Sequence, residues 1–338
     1  MCLCISNKKP LVAKKDIVVY KYVKEQNGRY VTPYQNYPIQ TNKVLSPSHK
    51  GEDIVGTNYQ KYSIRGGAIH ACTASNDSDW VEGITCLKAI IKKGTEFWVQ
   101  DDFKQVAARS LYITDEVVTD KQNTNIIEFC KMIIDEAPIN KDGIKIGDVL
   151  LADKTYASPL GNFDKSKVIG YVAYFNPQDD SPIHVGINTK YLPFVKDRHY
   201  DCSCHSDITY DKVENDFDGY KHTYDIANVD DYNADLFKAI NYCINYATKG
   251  TNKGDWHLGA TGEMIAIAKN LIFINTAIML VGIGETLNLN WSWTSSQYYD
   301  GTWVYSWYVT LDNGNSGRWG NRDYKSQVLP LLAFTKQA

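Results

Sequence analysis

Trp291-Ser-Trp-Thr-Ser-Ser-Gln-Tyr-Tyr-Asp-Gly-Thr-Trp-Val-Tyr-Ser-Trp-Tyr-Val-Thr310, then Asn313-Gly-Asn-Ser-Gly-Arg-Trp-Gly-Asn-Arg-Asp-Tyr324, then Val328-Leu-Pro-Leu-Leu-Ala-Phe334: this closing stretch carries the clearest message in the chain. It mixes aromatic residues with Gly, Ser, Asn and Arg, as recognition surfaces do. Tyr and Trp supply large amphipathic contact area with few rotors to freeze, and Ser, Gly and Asn supply adaptable hydrogen bonds. The stretch reads as strands, with Asp312-Asn-Gly314 a turn between Trp307-Tyr-Val-Thr-Leu311 and the tail.

Working outward, two helices are expected upstream. In the first, Leu236, Ile240, Cys243, Ile244 and Ala247 repeat at helical spacing, with Asp231 near the start and Gly250 past the end. The second begins at Thr261 as N-cap, places Glu263 in its positive first turn and runs through Ile265, Ala268 and Ile272. Its apolar run, Met264 to Ile283, is broken by Lys269, Asn270, Asn275 and Thr276. That pattern suits a buried amphipathic helix better than a membrane span. Before these helices, Lys196 to Tyr232 is polar and turn-rich, and a loop of that length is usually functional or locally stabilised. Strands are expected in Gly147–Tyr156, Lys167–Phe175 and His184–Ile187.

The first third of the chain is a different kind of sequence. Ile17-Val-Val-Tyr-Lys-Tyr-Val23 and Tyr30-Val-Thr flank Asn27-Gly28, a strong hairpin signal. Cys86 to Val99 gives two strands around Lys93-Gly94, and Ser110-Leu-Tyr-Ile-Thr114 gives another. Thr114 to Thr124 is polar without apolar periodicity and reads as a linker. Ile126, Ile127, Phe129, Cys130, Ile133 and Ile134 then fall on one helical face, stopped by Pro138. The expected organisation is an α+β chain: a mostly-β attachment or docking module over residues 1–116, and a ligand-binding domain over 117–338 that the helix opens. No internal repeat stands out.

Composition narrows the function. The net charge of -3 with mixed signs gives no basic stripe, so neither nucleic acid nor an anionic membrane is expected as a partner. Met1-Cys-Leu-Cys-Ile-Ser-Asn-Lys-Lys-Pro10 has no apolar core of signal-peptide length. A virion or intracellular location is therefore expected over conventional secretion. The 8 cysteines lack regular spacing, which favours free and mostly buried thiols over a disulfide framework. His199, Cys202, Cys204 and His205 are ligand types for Zn²⁺, but Cys-x-Cys is poorer spacing than Cys-x-x-Cys and no second pair follows. Local polar packing is the better account, so no metal and no cofactor is expected. Cys2 and Cys4 read as a mobile terminus, and His70-Ala-Cys72 as a packed strand end. No P-loop, dinucleotide fingerprint or metalloprotease helix motif is present.

The tail resembles the C-type-lectin-fold proteins that retroelements of gut bacteria and their phages diversify. The resemblance rests on Trp293-Thr-Ser-Ser296, a variable-looking Gln297 to Tyr305, Trp307-Tyr-Val-Thr-Leu311, Asp312-Asn-Gly314, a second variable-looking Asn315 to Gln327, and Val328 to Phe334. Gly254-Asp-Trp-His-Leu-Gly-Ala-Thr-Gly-Glu263, Gly147 to Thr155 and Val168-Ile-Gly-Tyr-Val172 are similar to the family's upstream segments, so it covers about residues 125 to 336. Gly259 and Leu329 depart from it, standing where the family has Pro and Arg.

The resemblance implies a C-type-lectin-like fold in the C-terminal two-thirds, with a variable region over about 291–334. It implies a non-enzymatic binding protein whose partner is a variable protein or glycan receptor, compatible with self-association into a homo-oligomer. The exposed positions it implies are Tyr298, Tyr299, Asp300, Thr302, Tyr305, Ser316, Arg318, Asn321, Arg322, Asp323 and Tyr324, with Trp319 either a contact or a packing residue. Diversification through adenines of Asn-type codons cannot create Trp, so Trp291, Trp293, Trp303 and Trp307 read as scaffold, core or rim. Oxidases that share this fold need a terminal cysteine pair, and none follows Cys243. Two other readings remain: an enzyme in residues 1–115, where Ala107-Ala-Arg-Ser110 bears a distant resemblance to ADP-ribosyltransferase-like modules, and a structural virion protein.

Overall fold

In the computed structural model, the chain is described except at residues 1–2, 6–9, 34–35, 48–53, 57–61, 65–67, 74–82, 101–102, 121–125, 198–202, 313 and 335–338. It is α+β, with mostly antiparallel sheets, and divides into two compact units, Met1–Thr57 with Lys61–Glu136 and then Ala137–Ala338.

The first unit is mostly β. Ile17–Gln26 pairs antiparallel with Ile84–Ile91 along its length, and Ile84–Ile91 pairs in turn with Leu111–Val117. Asn27 (φ 52°) and Gly28 (φ 70°) make the turn from Gln26 to Arg29, as the Asn-Gly pair predicts. Two expectations change here. Thr114–Val117 continues a strand, where Glu116 meets Lys88 at 2.8 Å, so the linker cannot start at Thr114. The helix Ile126–Asp135 belongs to this unit, because Phe129 packs on Phe97 with ring centroids 5.6 Å apart. The division therefore falls at Glu136–Ala137, past the expected boundary at 116/117.

In the second unit the elements run β1 (Val149–Leu151), β2 (Tyr156–Ala157), β3 (Val168–Phe175), β4 (Pro182–Gly186), β5 (Lys190–Pro193), α1 (Gly219–Ala227), α2 (Lys238–Asn245), β6 (Trp256–Leu258), α3 (Thr261–Val281), β7 (Trp291–Tyr299), β8 (Val304–Thr310), β9 (Ser316–Trp319), β10 (Lys325–Val328) and β11 (Pro330–Ala333). They form a six-stranded sheet, ordered β2-β1-β3-β4-β11-β6, and a five-stranded sheet, ordered β5-β10-β7-β8-β9. The pairing of β7 with β10 is parallel.

Helix α3 is the axis of this unit. Ala260 is its N-cap and Thr261 its first helical residue, one position earlier than the sequence suggests. An Ala cannot cap with its side chain, so Glu263 reaches back to accept the Ala260 N–H at 2.6 Å. The helix closes on Gly282 at φ 73°. By length and composition it could cross a membrane, but its sides are buried by β3 and the terminal strands, so it is a core helix rather than an amphipathic one. The polar residues that break its apolar run are put to structural use. Asn275 brackets Leu287 through both its amide N–H and its carbonyl, and Asn270 donates to Ala173 O.

A second core cluster gathers Phe194, Ile226, Phe237, Ile240, Cys243, Leu258 and Trp293, so the two short helices and the terminal sheet share one apolar interior. Cys130 and Cys243 are free thiols, and Cys86, Cys130 and Cys243 are buried.

His184 in β4 is fully buried between β1–β2 and β11. Its Nδ1 lies 3.0 Å from Leu332 O and its Nε2 3.0 Å from the Tyr156 hydroxyl. A neutral ring protonated on Nδ1 satisfies both partners. Burial pushes its pKa from 6.5 down to about 4. Above the unfolded value both states are neutral and stability is complete; as pH falls, the unfolded chain takes the proton first. We expect about 3 kcal/mol of stability to be lost between pH 6.5 and 4 through this group. Denaturant titrations across that range should show a shallower decline in His184→Gln than in the parent, and parallel slopes would contradict the assignment.

Candidate functional site

The five-stranded sheet places the tail residues in two groups. Across β8 and β9, Trp307 pairs with Arg318 and Ser306 with Trp319, so side chains alternate between the two faces. One face carries Tyr305, Trp307 and Arg318; the other carries Tyr308 and Trp319.

On the first face the Arg318 guanidinium lies over three rings, at 4.2 Å from Tyr298, 4.9 Å from Tyr210 and 4.9 Å from Tyr305. Each such contact contributes on the order of 0.5–1 kcal/mol when partly exposed. Tyr305 also hydrogen-bonds Asp300, which raises its own hydroxyl pKa. Asp300 holds the β7–β8 turn: its Oδ1 accepts the Trp303 N–H at 2.8 Å and the Thr302 N–H at 2.9 Å. Those backbone donors, the Trp303 N–H first, lower its carboxyl pKa. Asp300 is thus committed to the turn, which projects Tyr299, Thr302 and Trp303 into solvent.

Tyr210 comes from the long polar segment, which is stapled to β7. Ile208 N–H donates to Gln297 O at 2.6 Å, and the Trp307 indole N–H donates to Ile208 O at 3.0 Å. Ser206 Oγ accepts the Gln297 N–H at 2.7 Å, and Asp207 Oδ1 accepts the Tyr299 N–H at 3.3 Å. Farther along, the segment forms helix α1, which the sequence had not suggested. His205 packs its ring on Tyr299, with centroids 5.0 Å apart.

On the opposite face Trp291 stacks on Tyr308 at 4.6 Å and meets Trp319 at 4.9 Å and Tyr324 at 6.1 Å. Trp319 is half-buried against the second core cluster, so it packs under the sheet. Trp293 and Trp307 are buried. Trp303 is 53% exposed, at the rim of the surface.

One expected surface residue is corrected. Arg322 is only 2% exposed, its backbone N–H bonds Gly320 O and its O accepts from Val195 N–H, so it belongs to the interior. Asn321, Asp323 and Tyr324 are exposed, while Tyr298, Tyr305, Ser316 and Arg318 are partly covered. Of the zinc-ligand types considered above, His199 and Cys202 lie outside the described residues; Cys204 and His205 are half-buried.

Tyr210 carries no sequence signal of its own. Tyr210 stands in a segment with no apolar periodicity, so only its length marked it. Trp303 lies at a tight turn whose Asp300-Gly301 pair was legible. No protein-family model matches the chain, and no curated protein or solved structure matches it.

Tyr298→Leu and Arg318→Met, alone and combined, should show about 1 kcal/mol of favourable coupling in denaturant unfolding. Additive effects would mean that the guanidinium and ring stand together without attracting.

Proposed function

We propose that the second unit is a non-enzymatic recognition domain of the C-type-lectin-like kind, and that its terminal sheet presents changeable side chains to a protein or glycan receptor. The observation that carries this reading is the separation of roles along β7–β10. Trp293, Trp307, Arg322 and Val328 are interior, while Tyr299, Thr302, Trp303, Asn321, Asp323 and Tyr324 are exposed beside them. Side chains at the exposed positions can change without altering the buried set, which is what diversification requires. The resemblance to retroelement-diversified proteins supports the same reading, as does the absence from the sequence of any cysteine after Cys243 for oxidase chemistry.

Affinity in such a surface depends on a few preorganised anchors rather than on area. Tyr299, Trp303 and Tyr324, 40%, 53% and 59% exposed, are the anchors here. The turn held by Asp300 and the seam to Ser206–Ile208 fix two of them in advance of binding. By the resemblance, the protein acts as a phage receptor-binding protein or a bacterial display protein, with the first unit serving for attachment.

The chain carrying Tyr299→Ala, Trp303→Ala and Tyr324→Ala should melt like the parent and lose at least about 30-fold in affinity for whatever glycan or peptide the parent selects from an array or a displayed library, since an anchor cluster contributes roughly 2 kcal/mol or more. Full retention of that affinity would refute the surface. At the level of the gene, a neighbouring reverse transcriptase with a template copy differing only at adenines is expected. A template that differs equally at all four bases would contradict diversification.

A further inference from the structure

Away from the aromatic surface, Asp216, Asp218 and His222 meet at the start of α1. One ligand-type atom from each lies within 4.8 Å of the other two. The spacing follows from the fold: the His222 N–H donates to Asp218 O at 2.9 Å, one helical turn apart, and Asp216 precedes them in the approach to the helix. Asp216 and His222 are buried, their side chains 3% and 8% exposed, while Asp218 is exposed and gives the cluster a solvent side.

Two features distinguish this cluster from a chance gathering of acids. First, the buried His222 Nδ1 makes no hydrogen bond and points at Asp216 Oδ2 across 3.6 Å. A bare ring nitrogen in such a place costs on the order of 1–3 kcal/mol. Two ligands of a tetrahedral zinc at about 2.1 Å each stand roughly 3.4 Å apart, so the gap matches a shared ion at least as well as a stretched hydrogen bond. Second, the carboxylate is oriented from behind. Thr261 N–H donates to Ser296 Oγ at 2.9 Å, which leaves the Ser296 hydroxyl to donate to Asp216 Oδ2. Outer partners of this type fix metal-binding carboxylates.

We propose that Asp216, Asp218 and His222 bind a first-row divalent cation of the zinc class, with water completing the coordination on the Asp218 side. Two carboxylates and an imidazole are too few oxygens for Ca²⁺, which takes 6–8, and they suit a borderline ion. The ion would tie the long polar segment and α1 to Ser296 of β7, the strand that leads into the exposed turn.

Zinc titration of the full chain by calorimetry, with Co²⁺ spectroscopy in parallel, tests this. One ion per chain is expected, with a Co²⁺ spectrum lacking a thiolate charge-transfer band. Asp218→Asn should weaken binding at least tenfold without moving the metal-free melting temperature, because Asp218 is exposed. His222→Gln should weaken it further, and Cys202→Ser with Cys204→Ser should leave it unchanged. The proposal is overturned if no stoichiometric binding occurs, if Asp218→Asn binds like the parent, or if a thiolate band appears and disappears with the cysteines.

Discussion

The buried seam at Ser296 is the constraint on which the exposed surface of the terminal sheet depends. Ser296 accepts the first free N–H of α3 from Thr261 and donates to Asp216, joining the core helix, the long polar segment and the terminal strand in one chain of hydrogen bonds. Ile208 continues the seam upward, giving its N–H to Gln297 O and taking the Trp307 indole N–H. Without it, β7 would present an open row of backbone groups at its bulge, where pairing with β8 shifts between Trp293 and Gln297. With it, the residues just beyond, from Tyr298 to Trp303, start from a fixed backbone.

A fixed backbone explains how one sheet serves two demands. Strands β7, β8 and β10 are held by large buried groups, Trp293 and Val328 on one face and Trp307 on the other, whose loss would leave cavities costing several kcal/mol. The exposed positions contribute little to folding, so they are free to be selected for contact. Arg318 lies between these extremes. Stacked over Tyr210, Tyr298 and Tyr305, it gives the surface a preorganised cationic centre whose geometry is set by rings from two segments distant in sequence.

Much of this was legible in the sequence, and the failures have physical causes. The Asn27-Gly28 turn, the strands around β3 and the terminal strand pattern follow from local rules, because φ > 0 turns and aromatic runs are specified by adjacent residues. The sequence of helix α3 specifies a helix, but its asparagines look like the polar stripe of an amphipathic one, whereas Asn275 bonds Leu287 in the interior. Arg322 looks like a surface residue by type, and only the packing of the β9–β10 connection against Val195 places it inside. Tyr210 and helix α1 were invisible, since their positions depend on contacts across about 90 residues of chain, Ile208 to Gln297 and Trp307. The helix Ile126–Asp135 packs in the first unit for a similar reason: its periodicity says that it buries a face, and not that the face meets Phe97.

The central claim is that the closing stretch divides, residue by residue, into a scaffold that cannot change and a surface that can. A stability scan of every single substitution from Trp291 to Ala333, read by protease resistance of the folded chain, measures that division directly. Tolerance at Tyr299, Thr302, Trp303, Asn321, Asp323 and Tyr324, interleaved with intolerance at Trp293, Ser296, Trp307, Arg322 and Val328, is the predicted result. Uniform sensitivity across both sets, or tolerance at the buried ones, would contradict it.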